Sequence, residues 1–197
     1  MISLSNEFLR KSIHLSNLVI PLFLFYYGRD LTLAILVPST ILFLILDTLR
    51  IKNQSFRYIY NFFFKSITRN KESESLTGAS YVFIASTLTI ILFPQTIAIA
   101  ALMIMSISDT LAAIIGRSYG SIFLSNKSLE GSVSFFLSSI FIVLTFSSLN
   151  ITISIVCVLV TTIFEVYAPI NDNLLIPITF SGTYVLLDSL IRASGTI

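Results

Sequence analysis

The stretch "SISDTLAAIIGRSYG", Ser106–Gly120, puts a single acid, Asp109, inside an apolar run, Thr96–Ile115, that is long enough to cross a bilayer. Asp109 precedes Gly116 by seven residues, about 10 Å along a helix. A carboxylate at that depth costs on the order of 2–3 kcal/mol. It needs a cation, a metal ion or a water-filled cavity beside it.

Composition supports the membrane reading. Of 197 residues, 55% are apolar and 11% charged, and the charged share is about half that of a soluble domain. The length fits one domain over residues 1–197. A net charge of +2, with basic residues confined to short loops, gives no footprint for nucleic acid. Cys157 is the only cysteine and lies in an apolar run, so neither a disulfide nor a cysteine metal site is available within one chain.

Seven apolar stretches are candidate spans: Ile13–Tyr27, Leu31–Leu46, Ala79–Phe93, Thr96–Ile115, Val133–Leu149, Ile151–Ala168 and Leu174–Ile191. The expected fold is therefore all-α, a polytopic membrane bundle of about seven helices. The first span is the weakest, because His14, Asn17 and Pro21 interrupt it. No small-x-small cleavage site follows it, so it reads as an uncleaved helix. With the N-terminus inside, Arg10, Lys11, Arg50, Lys52, Arg57, Lys65, Arg69, Lys71, Arg117 and Lys127 are cytoplasmic, and only Arg29 and Arg192 lie outside. That bias fixes the expected orientation, with the C-terminus on the opposite side. Between the second and third spans, "FRYIYNFFFKSITR" repeats Arg57, Asn61 and Lys65 every four residues, the pattern of a helix lying in the cytoplasmic interface.

The remaining polar residues collect on the same side. In "GRSYGSIFLSNKSLEGS", Gly116 and Gly131 permit close backbone approach, Arg117 and Lys127 suit phosphate oxygens, and Glu130 suits a metal or neutralises Lys127. In "NEFLRKSIH", Glu7, Lys11 and His14 share a helix face, with Arg10 close by. In "SLTGAS", Thr77 is a helix cap followed by Gly78, and a helix start also attracts anions. Glu165 lies within a span near its cytoplasmic end and needs a partner, and Asp172 sits in the turn that follows. Asp47 and Arg50 pair at i,i+3 on the same side, their role open between structure and site. Asp188 and Arg192 form an outer, structural pair at i,i+4. A pore needs polar groups along its whole length, and a transporter a polar midplane site between inverted repeats. A one-sided site above apolar helices lacks both signatures, and a small membrane transporter stays the lesser alternative outside enzymes.

"EFLRKSIH", "LTGASY", "SDTLAAIIGRSYG" followed by "KSLEGS", and Glu165 followed by "NDNLLIP" occur here in an order that resembles the CTP-dependent lipid-alcohol kinases, the family of dolichol, phytol, farnesol and CTP-dependent diacylglycerol kinases. The resemblance covers nearly the whole chain. It implies transfer of the terminal phosphate of CTP, with magnesium or another divalent cation, to the hydroxyl of a membrane lipid alcohol. It also implies roles: Asp109 to the metal or the hydroxyl proton, Arg117 and Lys127 with Gly116 and Gly131 to phosphates, Glu130, Glu165 and Asp172 to metal or orientation, Asn173 to nucleotide, and Arg10, Lys11 and His14 to closing the site. The phosphatidate cytidylyltransferases are distantly similar, but their lysine-aspartate and terminal aspartate-arginine signature is absent here. The alternative chemistry is theirs, a CDP-lipid with release of pyrophosphate.

Overall fold

Gly28 decides how the chain begins its bundle. In the computed structural model, which describes residues 4–64, 75–125 and 127–194, α1 (Leu4–Ser16) leads through a turn into α2 (Val19–Lys52). Gly28 breaks α2 with φ 76° and ψ 179°, a backbone conformation almost confined to glycine. The partners on either side show what the break does. Near it, Gln95 Nε2 donates to Leu24 O (3.2 Å) and Arg29 donates to Phe93 O. At the far ends, Lys11 meets Asp109, while Asp47 meets Thr77. Both far ends belong to one face of the bundle, so the chain doubles back at Gly28. The first two apolar stretches are therefore separate antiparallel segments. A Cβ at Gly28 would have nothing within 4 Å, so a substitution there acts through the backbone alone. Gly28→Ala is expected to cost about 1–3 kcal/mol, read as a lower thermal midpoint in detergent; an unchanged midpoint would remove the special role of this glycine.

The other expected spans are also helical: α4 (Gly78–Leu92), α5 (Gln95–Met103) continuing into α6 (Asp109–Tyr119), α7 (Leu129–Leu144), α8 (Ile151–Tyr167) and α9 (Asp172–Ala193). The starts of α4, α7, α8 and α9 follow from capping side chains: Thr77 accepts from Ser80 N, Ser128 from Gly131 N, Asn150 from Thr152 N and Ile153 N, and Asn171 from Asn173 N. The cap at Ser128 starts α7 four residues before the expected span, which brings Glu130 into the first turn.

Among the described residues three helical stretches are long and apolar enough to cross a membrane, Leu9–Lys52, Gln95–Tyr119 and Asp172–Ala193, and three shorter apolar helices accompany them. This is the build of a multi-pass membrane protein. Large apolar side chains such as Phe25, Tyr26, Phe141 and Leu144 face outward, whereas Ser80, Ser86, Thr89, Ser106, Ser139, Ser154, Thr161 and Ser181 are buried. Small polar residues at helix contacts with an apolar exterior are what packing in lipid favours. The centre is α5, where Ala98, Ala100, Ala101 and Leu102 are fully buried; it packs on α2 and α9.

Three features depart from the sequence expectations. The central helix is not uniform, because Ile104–Ser108 forms a π-helical turn. The bundle is not purely helical, because β1 (Phe123–Leu124) and β2 (Lys127–Ser128) pair as an antiparallel hairpin. Two-residue strands are too short to show alternation. The third concerns α3 (Gln54–Phe64), the helix expected in the interface. There Arg57 is no free basic face: its Nε donates to Arg50 O (3.1 Å) and Nη2 to Ile51 O (2.5 Å), which satisfies the end of α2. The Asn61 side chain, Lys65, Arg69 and Lys71 lie outside the described residues.

Candidate active site

Asp109 follows directly on the π turn and is buried. Its counter-charge comes from α1. Lys11 Nζ donates to Asp109 Oδ2 at 2.5 Å and to Asp109 O at 3.1 Å. One helical turn on, His14 Nε2 lies 3.1 Å from Met105 O and 3.3 Å from Asp109 Oδ2. Two acceptors face Nε2, and the Asn17 amide faces Nδ1 at 3.4 Å, so the hydrogen belongs on Nε2. The carbonyl that His14 contacts, Met105 O, lies within the π turn itself, and such turns are frequent at functional sites. The buried acid is thus compensated first by a lysine 98 residues away, not by the basic residues that follow it in sequence.

The second half of the site comes from the hairpin, α8 and α9. Glu165 is buried in the last turn of α8, and Asp172 opens α9. Lys127, on β2, bridges them: its Nζ donates to Asp172 Oδ2 at 2.8 Å and to Glu165 Oε1. Burial works to lower the Lys127 pKa, but Asp172, Glu165 and Asp109 outweigh it and hold the ammonium above its ordinary value. Asp109, Glu165 and Asp172 each place one carboxylate oxygen within 4.8 Å of the others. α6, which carries Asp109, and α7, which follows directly on the strand of Lys127, approach closely because two glycines face each other. A Cβ at Gly116 would come 2.8 Å from Ser128 Oγ, and one at Gly131 2.8 Å from Ala112 O. These glycines pack helices.

Other expected site residues fall elsewhere. Glu130 accepts from Ser121 N at 2.8 Å and from Ser121 Oγ; it closes the hairpin and joins neither Lys127 nor the three acids. Arg117 is exposed on α6. Arg10 is partly buried beside Lys11, and the Glu7 side chain lies outside the described residues. Asn173 Nδ2 donates to Gly78 O (3.1 Å), tying α9 to α4. Asp47 and Arg50 belong to a separate network. Asp47 Oδ2 accepts from Thr77 N (2.7 Å), Thr77 Oγ1 (2.9 Å) and Ser80 Oγ (2.6 Å), and Asp47 Oδ1 from Arg50 Nε (3.1 Å). Arg50 also donates to Ser75 O and lies over the Tyr60 ring. Asn17, Ser121 and Ser80 were not singled out from sequence. Only Asn17 carried a usable signal there, its spacing of three from His14.

No protein-family model matches the chain, and no solved structure matches it. The uncharacterized protein RP860 of Rickettsia prowazekii is 35% identical over 182 residues, 87% of this chain and 89% of that protein. The chain belongs to the family of RP860. It is also homologous to CTP-dependent diacylglycerol kinase 1: 30% identical to that of Saccharomyces cerevisiae over 136 residues (66% of this chain, 47% of the kinase) and 29% identical to that of Schizosaccharomyces pombe over 98 residues (48% and 45%). The chain thus spans about half the length of these two kinases.

Proposed function

We propose that the chain is a CTP-dependent lipid kinase, which transfers the terminal phosphate of CTP to the hydroxyl of a membrane lipid and releases CDP and a lipid monophosphate. The observation that carries this reading is the meeting of Asp109, Glu165 and Asp172 under Lys127 at one polar end of an apolar bundle, in a chain homologous to CTP-dependent diacylglycerol kinases.

The acids suit a hard divalent cation such as magnesium. All three offer carboxylate oxygen, and Glu165 Oε2 is buried without a hydrogen-bond partner. Asp109, Glu165 and Asp172 would hold magnesium, which when bound would supply positive charge against the phosphates. The chain's own residues do the rest. Lys11 and His14 both address Asp109 Oδ2, which leaves Oδ1 for cation or substrate. Lys127 and Arg117 are the phosphate-binding cations, and Glu130 sets the hairpin that presents Lys127. In the transfer, the lipid hydroxyl oxygen forms the new bond to the terminal phosphorus, the bond from that phosphorus to the bridging oxygen breaks, and the hydroxyl proton leaves to solvent or to Asp109. The bundle crosses the bilayer seven times, with the N-terminus and the site cytoplasmic. The lipid enters from the bilayer and the nucleotide from the cytosol.

The test supplies purified protein with magnesium, labelled CTP or ATP, and polyprenol, phytol, farnesol or diacylglycerol. A lipid monophosphate with CDP is the expected product pair. In sealed vesicles, turnover is expected only with CTP on the cytoplasmic side. Pyrophosphate with a CDP-lipid would refute the kinase and indicate the cytidylyltransferase reaction.

A further inference from the structure

The two lysines of the site are held very differently. Lys11 comes from within a helix, its side chain is 4% exposed, and both of its contacts are to Asp109. Lys127 stands on a two-residue strand, its side chain is 30% exposed, and it touches Glu165 and Asp172. Both carboxylate oxygens that it holds belong to residues that are candidate cation ligands.

Resting on the proposed cation site, we infer that the Lys127 ammonium and a divalent cation are alternative occupants of the space between Glu165 and Asp172. A small divalent ion sits about 2.0–2.1 Å from its oxygen ligands. Lys127 Nζ is 2.8 Å from Asp172 Oδ2 and also bonded to Glu165 Oε1. A cation on those same oxygens would face the ammonium at a distance where like charges repel strongly. Charge count points the same way. Ionised as cation binding requires, Asp109, Glu165 and Asp172 would supply three negative charges. Lys11 and one dication balance them, which leaves Lys127 surplus at the cluster and available to a triphosphate. Its flexible stem lets it turn out without moving a helix, whereas Lys11 is fixed. Arrival of the cation therefore releases the residue that grips the nucleotide, and cation and CTP bind with positive coupling.

The experiment measures Mn2+ binding by electron paramagnetic resonance on the full chain in detergent, for the unmodified protein, Lys127→Met, Lys127→Gln and Glu165→Gln. Losing two charge-assisted contacts that compete with the ion predicts Mn2+ affinity without nucleotide about ten- to a hundred-fold higher in both Lys127 variants. Their gain in Mn2+ affinity on adding CTP should shrink. In the unmodified protein, acylation of Lys127, followed by mass spectrometry, should speed up when Mn2+ alone is added. Unchanged or weaker Mn2+ binding in both Lys127 variants, with binding abolished by Glu165→Gln, overturns this inference and leaves the cation site standing. Lys127 acylation that Mn2+ does not alter, in protein shown to bind it, overturns the inference equally. No Mn2+ binding by the unmodified protein or either Lys127 variant overturns the cation site and this inference with it.

Discussion

Asp109→Asn is expected to abolish the proposed lipid phosphorylation and also to lower stability, and pairing it with Lys11→Met to restore the stability alone. The stability loss follows from burial. The substitution would leave the Lys11 ammonium, 4% exposed, opposite a neutral amide, and breaking a buried ion pair from one side costs roughly 3–5 kcal/mol. Replacing Lys11 as well removes the stranded charge, and neutral replacement of a whole buried pair is often tolerated. Most of the lost midpoint should therefore return in the double variant. Activity should not. If Asp109 ligates the cation or takes up the hydroxyl proton, neither function survives in an amide, and turnover should fall by at least about a thousandfold, some 4 kcal/mol of barrier. Thermal unfolding and CDP release, measured on the same preparations, read the two effects separately. A double variant that is stable and turns over near the normal rate would reduce Asp109 and Lys11 to a structural pair.

The same pair shows what sequence can and cannot carry. The need of Asp109 for compensation is legible from one stretch, since depth in an apolar run has a known cost. The identity of the partner is not, because Lys11 lies 98 residues away and helical spacing reports only which residues share a face. The apolar stretches translate well into helices for a related reason: span length is a local property. Gly28, Asn150 and Asn171 mark breaks and starts through their own backbone or side chains. The π turn before Asp109 has no such mark, since it is set by how α5 and α6 must meet α1 and α7. Glu130 misled for a similar reason. An acid three residues after Lys127 suggests a pair, but the hairpin turns Glu130 back to Ser121 and Lys127 towards Glu165 and Asp172. Asp109, Glu165 and Asp172 could be grouped because the placement of basic residues assigns all three to one side of the apolar stretches, and position relative to a neighbouring stretch is again local.

Asp47 was grouped with them on the same ground, and its chemistry differs. Its two oxygens are taken by four donors, from Arg50, Thr77 (twice) and Ser80, so it joins the end of α2 to the start of α4. Asp47→Ala would leave Arg50, 1% exposed, without its carboxylate, and strip an acceptor from the Thr77 amide and two hydroxyls. The expected loss is about 3–5 kcal/mol for the stranded charge, plus roughly 1 kcal/mol or more for the unsatisfied donors, enough to unfold a marginal bundle. Asp47→Asn keeps an oxygen acceptor and should lose less. The discriminating measurement is turnover per folded molecule, with the folded fraction taken from size-exclusion or unfolding data. For Asp47→Asn it should stay within a few-fold of normal, with the Mg2+ dependence unchanged, because this network connects to the site through α4 and the bond from Asn173 to Gly78 O. A folded Asp47→Asn protein that has lost turnover or altered its Mg2+ requirement would move Asp47 from the joint between helices into the catalytic set.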